Sequence, residues 1–190
     1  MADWSSLWRR LTDYAAAEDP LTRASNTLAL VLASNQPFYP FYVRWVTGEG
    51  SWLLGLTFVS TPFFLAAPWV ARRIPNIGRL YFPAVGAINT FFCAFIFGVA
   101  SGVELFLAPC LVIAALSCRK GERVALGVFL VALLGAFLLL HRRYGAPLYL
   151  AGPSQYDALL SLNVYSAAIL SVIAAWTFSA AWSETSEVRK

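Results

Sequence analysis

Apolar residues fill six long stretches of the chain, and short polar or charged connections separate them. The stretches run over 27–46, 52–71, 80–99, 103–118, 124–140 and 159–182. They lack the alternation of a half-buried strand, and about 20 helical residues at 1.5 Å each cross roughly 30 Å of hydrocarbon. The pattern predicts an all-α polytopic membrane protein with six transmembrane helices. The fourth and fifth are short, so they must stand upright or begin in the interface.

Residues 1–26 have a different pattern, in which apolar residues recur at every third or fourth position. These residues are Trp4, Leu7, Trp8, Leu11 and Tyr14. They share one helical face, which predicts an N-terminal amphipathic helix that Pro20 ends. The helix lies either in the headgroup plane of the membrane or across the inner mouth of the bundle. The predicted organisation is a cytoplasmic helix and linker over 1–26, a transmembrane domain over 27–182 and a cytoplasmic tail over 183–190.

Composition and charge place the chain in a bilayer and give it an orientation. With 59% hydrophobic and 13% charged residues, it holds too little charge to cover a soluble globule. Eleven basic residues fall in alternate connections on one side: Arg9, Arg10, Arg23, Arg72, Arg73, Arg79, Arg119, Lys120, Arg123, Arg189 and Lys190. The other side has Arg44, Arg142 and Arg143. Both termini are therefore predicted in the cytoplasm. Such short basic clusters predict no nucleic-acid partner.

A belt of polar residues crosses the first three predicted spans at similar depth. Its members are Asn35, Gln36, Ser60, Thr61, Asn89 and Thr90. At 1.5 Å per residue they lie roughly 12–17 Å from the outer boundary. An unmatched amide in hydrocarbon costs several kcal/mol, so these groups need partners. They are either hydrogen-bonding contacts between helices or the polar floor of a pocket that opens outward.

Two prolines interrupt the first predicted span beside this belt. Pro37 and Pro40 remove backbone donors, which leaves the carbonyls of Ala33 and Gln36 without helical partners. A kinked, partly unwound helix is tolerated in a membrane where it is buried in protein or lines a cavity. Aromatic residues surround the kink: Phe38, Tyr39, Phe41, Tyr42 and Trp45. We predict a site for a ring-bearing or acyl ligand at Asn35, Gln36, Tyr39 and Asn89, although Tyr42 and Trp45 also fit an interfacial aromatic belt.

Charged residues form a second candidate site at the outer rim. Glu104 begins the fourth span and is expected to pair with Arg44 or with His141. His141, Arg142 and Arg143 lie in the longest connection, 141–157. They predict a receptor for an anionic headgroup or carboxylate, and the alternative is that they are solvated flanking charges.

The sequence argues against several chemistries. One histidine cannot supply a bis-histidine haem or a two-histidine metal centre. There is no paired intramembrane aspartate for proteolysis and no mid-depth carboxylate for proton coupling. The two halves show no inverted repeat, and the three cysteines have no metal-ligand spacing. We therefore predict no enzyme activity, no metal and no cofactor.

The stretch "FGVASGVELFLAPCLVIAAL", residues 97–116, carries a family resemblance. It resembles the junction of the third and fourth spans in bacterial six-helix membrane-associated sensor domains of the MASE type. Gly98, Gly102, Phe106 and Pro109 take the places of that family's glycine turn and the amphipathic stretch after it. "NQPFYPFY" and "HRRYGAPLY" also resemble cyclase-linked members, so the similarity covers residues 27–182. It implies a sensory input in a bacterial inner membrane that reads a membrane-soluble or periplasmic signal and alters the sixth helix.

Two functions remain open. The first is a sensory domain, expected to be a homodimer, that controls a cytoplasmic adenylate or diguanylate cyclase. The second is a free-standing channel, carrier or lipid-binding membrane protein. No cyclase or kinase sequence follows Trp182, so we expect either the input domain of a longer receptor or a protein that acts on a partner. In the first case Ser183, Glu184, Glu187 and Val188 begin a signalling helix.

Overall fold

The structure is a computed structural model that describes residues 4–48 and 50–187, without the side chains of 4, 5, 7, 8, 75–77, 186 and 187. These residues form helices and no strand. The α-helices are α1 (Trp4–Ala15), α2 (Pro20–Asn35), α3 (Tyr39–Thr47), α4 (Thr61–Leu65), α5 (Ala67–Arg73), α6 (Pro75–Phe97), α7 (Leu107–Ser117), α8 (Arg123–Leu140) and α9 (Pro153–Glu187). Short 3-10 helices are Gln36–Phe38, Trp52–Ser60, Val99–Ser101, Val103–Phe106 and Lys120–Glu122. The predicted all-α fold is confirmed for this part of the chain.

Four helical stretches within the described ranges are long and apolar enough to cross a membrane. They are Trp52–Arg73, Gly78–Phe97, Lys120–Leu140 and Pro153–Thr185. The apolar helix Val103–Ser117 is shorter, and the first predicted span is divided after Asn35. Four such helices fit a membrane protein, whereas six spans and the orientation of the termini remain predictions.

The connections between helices lie at two ends of the bundle, where side-chain contacts join them. At one end, here called the charged end, Arg79 pairs with Asp19 at 2.5 Å and Arg23 pairs with Glu184 at 2.5 Å. At the other, here called the histidine end, His141 contacts Glu104 at 2.7 Å. Connections that the charge count assigns to the same side therefore meet at the same end.

The charged end is built around the start of α2. Asp19 caps this helix, because its carboxylate accepts a 3.0 Å hydrogen bond from the backbone N–H of Thr22. Pro20 begins α2, so the prediction that Pro20 ends the first helix is wrong; proline suits the first helical position, where no donor is needed. Arg79 bridges Asp19 and Glu122, and Arg119 also binds Asp19. Three segments of the chain are thereby joined.

The pKa of Asp19 predicts how this end responds to acid. Burial opposes its ionisation, but hydrogen bonds from Thr22 and Arg119 and the charge of Arg79 outweigh burial and hold the pKa below the ordinary 3.8. Because the folded pKa is depressed, the stabilisation is present above 3.8 and is lost as the pH falls through the folded value. We expect the unfolding temperature of Asp19→Asn in detergent to fall less on acidification than that of the unaltered chain.

The control for this prediction is Asp157→Asn. Asp157 is exposed, and its carboxylate forms no hydrogen bond or ion pair with the described residues. This variant should keep the full acid response of the unaltered chain. Identical acid responses of Asp19→Asn and the unaltered chain would contradict the assignment.

Two apolar clusters hold the bundle together. The first contains Leu28 and Ala29 of α2 together with Ala174 and Phe178 of α9. Phe64 and Phe82 add an edge-to-face pair with ring centroids 5.9 Å apart. The second cluster lies toward the histidine end and contains Val43, Ile96, Phe97, Tyr149 and Leu159. The first and last long helices are therefore packed directly against each other.

Helix α1 runs over Trp4–Ala15, and its last turn contacts the bundle. Tyr14 donates a 2.9 Å hydrogen bond to the carbonyl of Leu65, and the Arg72 guanidinium lies 4.8 Å from the Tyr14 ring centroid. These contacts favour a helix that covers one end of the bundle. The predicted apolar face includes Trp4, Leu7 and Trp8, whose side chains lie outside those described, so an interfacial role remains a prediction. Arg189 and Lys190 of the predicted basic tail also lie outside the described residues.

Helix α8 is the most apolar candidate span and the least enclosed. Leu133 is its buried residue, whereas Val124, Val131 and Leu138 are among many that are exposed. Such a face is unfavourable in water and ordinary in lipid. Its exposure therefore agrees with a membrane environment.

Candidate functional site

The break predicted at the two prolines is present. Helix α2 ends at Asn35, a 3-10 turn covers Gln36–Phe38, and α3 begins at Tyr39. The prediction that the Gln36 carbonyl loses its partner is wrong, because this carbonyl accepts a hydrogen bond from the backbone N–H of Tyr39. A 3-10 turn pairs residues three apart, so the chain here is wound more tightly and not unwound.

A cavity of about 590 Å³ lies beside this break, between α2, α3, α6, α7 and α9. We call it the amide cavity, because Asn35, Gln36 and Asn89 all line it. Tyr39 lines it as well, so four of the predicted ligand residues come together. Its other walls include Thr90, Cys93, Phe106, Cys110, Ser166, Ile169 and Ile173. No charged residue is found among the described residues that line it.

Gln36 acts as a contact between helices. Its side chain is buried, and its Nε2 donates to Ser60 Oγ at 2.5 Å. Its Oε1 accepts from Thr61 Oγ1 at 2.6 Å. Both ends of the amide are therefore used to join the first and second predicted spans.

Asn35 and Asn89 differ from Gln36, because their amides remain open. Asn35 is exposed, and its side chain has no hydrogen-bond partner among the described residues. The Oδ1 of Asn89 lies 3.8 Å from the Cys93 sulfur, while its Nδ2 donates to none of the described residues. Two amide N–H₂ groups that line an apolar cavity are thus free to donate to a ligand.

The amide cavity opens on the flank of the bundle. Val31 and Phe38 on one side and Ile169 and Ile173 on the other line the cavity and are also exposed. The sequence predicted a pocket that opens toward the outer surface, whereas these residues place an opening between α2–α3 and α9. In a bilayer, this flank faces the acyl chains.

The predicted outer site is a separate arrangement at the histidine end. His141 Nδ1 lies 2.7 Å from one oxygen of Glu104, and the Tyr144 hydroxyl donates to the other oxygen at 2.8 Å. Burial, then the hydrogen bond to Glu104 and its charge, raise the pKa of Tyr144. Glu104 therefore pairs with His141 and not with Arg44. Arg142 and Arg143 follow His141 and are exposed.

Glu104 lines a different cavity, of about 500 Å³, between α7 and α8. The eight predicted residues thus divide into two groups of four: Asn35, Gln36, Tyr39 and Asn89 at the amide cavity, and Glu104, His141, Arg142 and Arg143 at the histidine end. Sequence reasoning missed this second cavity. Apart from Glu104, its walls are leucine, valine, alanine, glycine and phenylalanine, which also fit ordinary helix packing, so no sequence pattern indicated a cavity.

Asn163 was also missed as a central contact. It is fully buried on α9, where its Oδ1 accepts from the Tyr39 hydroxyl at 3.2 Å. Its Nδ2 donates to the carbonyl of Ser101 at 2.9 Å. Asn163 thus joins α3, α9 and the turn after α6, and an asparagine inside an apolar stretch was the available signal.

Comparison with known proteins gives no identification: no protein-family model, no curated protein and no solved structure matches the chain. The resemblance of residues 97–116 to cyclase-linked sensor domains remains a prediction.

Proposed function

We propose that this chain is a membrane-embedded sensory domain that binds an uncharged lipophilic molecule in the amide cavity and signals through α9. The observation that carries the proposal is the extent of α9, which is unbroken over its 35 residues, Pro153–Glu187. At 1.5 Å per residue it is about 50 Å long. Ser166, Ile169 and Ile173 form one wall of the cavity, and Glu184 near the far end meets Arg23. One rigid element thus joins the candidate ligand site to the C-terminal end.

The lining of the cavity favours one class of ligand. A charged ligand would lose its hydration in an apolar space that offers no counter-charge, at a cost of several kcal/mol or more. The open amides of Asn35 and Asn89 donate to an acceptor such as a carbonyl oxygen. The volume of about 590 Å³ lies within the range of about 300–1,000 Å³ for small-molecule sites. An acyl chain or ring that bears a carbonyl group therefore suits it best.

The signal passes along α9 as a change in its position. A ligand shifts a two-state equilibrium only if it binds the two states with different affinity. At the far end of α9, Phe178 is buried and the Trp182 indole donates to the carbonyl of Leu116 at 2.9 Å, whereas the half-exposed Arg23–Glu184 pair adds only about 0–1 kcal/mol. We infer that a cavity that closes on its ligand shifts α9 as one body against these contacts. The output would be a cytoplasmic cyclase, adenylate or diguanylate, carried by a homodimer.

A second function is supported by the opening on the flank. A cavity that opens toward acyl chains also suits a small carrier or lipid-binding protein that exchanges its ligand with the bilayer. In that case α9 would be a wall of the cavity without an output. Ligand binding is common to both functions, whereas control of an output domain separates them.

The first test compares amphiphiles that differ in charge. The purified full chain in nanodiscs is mixed with dodecyl methyl ketone, decylubiquinone, dodecanoate or dodecylammonium, and its thermal unfolding temperature is measured. We expect the uncharged pair to raise the unfolding temperature and Asn35→Leu to reduce that rise, whereas any effect of a charged compound should be the same in the unaltered chain and in Asn35→Leu. A charged compound whose effect Asn35→Leu reduces by as much would contradict the proposed ligand class.

The neighbouring amides provide a matched pair of variants. Asn35→Leu removes an open donor, so it should weaken binding of the uncharged compounds with little change in stability. Gln36→Leu breaks two hydrogen bonds between helices, so it should lower the free energy of unfolding by about 1–2 kcal/mol. Thermal and denaturant unfolding with and without dodecyl methyl ketone measure both effects. Unchanged binding by Asn35→Leu would remove the support for the amide as a ligand donor.

A further inference from the structure

The cavity between α7 and α8 runs along both helices. On one side Leu105, Ala108 and Leu111 are three residues apart, and on the other Leu130, Leu134 and Phe137 are three or four apart. Positions at this spacing share a helical face, so the cavity follows the two helices for about 10 Å. It is elongated and apolar along this length, as an acyl chain is.

Among the described residues that line this cavity, one is charged, and it closes an end of the cavity. Glu104 is largely buried, and its two oxygens are held by His141 and Tyr144. The ring of His141 also stacks on Phe137, with ring centroids 4.9 Å apart. Because His141 and Tyr144 already contact both oxygens of Glu104, the body of the cavity offers only apolar contacts to an occupant.

An occupant improves the packing of α8. Protein interiors are close-packed, and atoms that line an empty space lose their dispersion contacts. The cavity of about 500 Å³ lies beneath a helix that buries only Leu133 among its described residues. A bilayer supplies acyl chains at the open side of this space.

Two cations stand beside the closed end. Arg142 and Arg143 directly follow His141, both are exposed, and their side chains have no ion pair among the described residues. The backbone N–H groups of His141 and Arg143 donate to the carbonyls of Phe137 and Leu140, which fixes this turn at the end of α8. Guanidinium groups bind phosphate oxygens through paired hydrogen bonds. The charge therefore complements an anionic headgroup.

We propose that an anionic phospholipid of the surrounding bilayer is bound here. One acyl chain lies in the α7–α8 cavity, and the phosphate group contacts Arg142 and Arg143. The site is separate from the amide cavity and does not depend on the proposed sensory function. Its ligand is charged at the headgroup, whereas the amide cavity takes an uncharged molecule.

Native mass spectrometry of the full chain tests this inference, after purification into mixed micelles with equal amounts of phosphatidylglycerol and phosphatidylcholine. We expect one retained phosphatidylglycerol, at least tenfold preferred over phosphatidylcholine. Ala108→Trp fills the cavity and should abolish retention of both lipids. Arg142→Gln with Arg143→Gln should remove the preference and leave the acyl site available.

Matched controls separate the site from general effects. Val131→Trp places the same side chain on an exposed face of α8 outside the cavity lining. Arg73→Gln with Arg123→Gln removes the same charge from exposed residues at the charged end. Both controls should retain phosphatidylglycerol as the unaltered chain does.

Three outcomes would overturn the proposal. They are no retained lipid on the unaltered chain, equal retention by Ala108→Trp and Val131→Trp, and a preference that survives loss of Arg142 and Arg143. Leu134→Trp provides a second cavity-filling variant if Ala108→Trp lowers the unfolding temperature. Binding of dodecyl methyl ketone should persist in both filled variants, so failure of this site is distinguishable from failure of the amide cavity.

Discussion

Replacing Arg79 with glutamine is expected to lower the free energy of unfolding by about 3–5 kcal/mol, because two carboxylates lose the cation that they share. The Arg79 side chain is 7% exposed, and its guanidinium binds both Asp19 and Glu122. Little water is available to replace those contacts. Denaturant unfolding in mixed micelles measures the loss.

A charge-matched control and a compensating variant show whether the loss of stability comes from the buried ion pairs. Arg73 is exposed, and its guanidinium lies 5.7 Å from the Trp69 ring centroid, so Arg73→Gln should cost less than about 1 kcal/mol. Arg79→Met combined with Asp19→Asn and Glu122→Gln removes the buried cation and both of its carboxylates, leaves only the 37% exposed Arg119, and should recover most of the stability. A loss for Arg79→Gln no larger than that of Arg73→Gln would show that the cluster contributes little.

A class III cyclase fused after Lys190 is expected to vary several-fold in activity with the number of residues inserted into α9. Insertions of one, two, three or seven alanines are placed after Glu184, so the Arg23–Glu184 pair is retained. Each added residue rotates the following helix by about 100°, and seven residues return it close to its starting phase. Activity should therefore change with one to three alanines and recover near seven. Cyclase assays on membranes provide the measurement.

In the control fusions, glycine and serine replace the inserted alanines, and the number of inserted residues stays the same. Such a linker is flexible, so it should remove both the dependence on phase and the recovery at seven residues. Activity that is the same for every alanine insertion would contradict transmission through α9. It would favour the carrier or lipid-binding function.

The sequence was sufficient to predict the helical class, the break at the prolines and four of the residues that line the amide cavity. Long apolar stretches and proline act locally, so their effects can be read from neighbouring positions. The sequence was insufficient to show which of Asn35 and Gln36 forms hydrogen bonds between helices. The two are adjacent, and only the packing of α2 against the following segment shows which amide meets Ser60 and Thr61.

Long-range contacts explain the other differences. Arg79 and Asp19 lie 60 positions apart, and the charge count used Arg79 only to orient the chain. Asn163 reaches Ser101 across 62 positions. The α7–α8 cavity depends on how closely two apolar helices approach each other. Leucine lines close-packed interfaces and cavities alike, so it does not show which of the two is present.

The packing of α2 against α9 also bears on the order in which the protein is made. The ribosome synthesises α2 well before α9, yet Leu28 and Ala29 share one buried cluster with Ala174 and Phe178. Thr22, Ser25, Asn26 and Gln36 give the first segment more buried polar groups than a self-sufficient span carries. Helix α8, by contrast, is apolar on nearly every face and is stable in lipid with few neighbours. The newborn chain therefore keeps α2 incompletely packed until α9 leaves the ribosome.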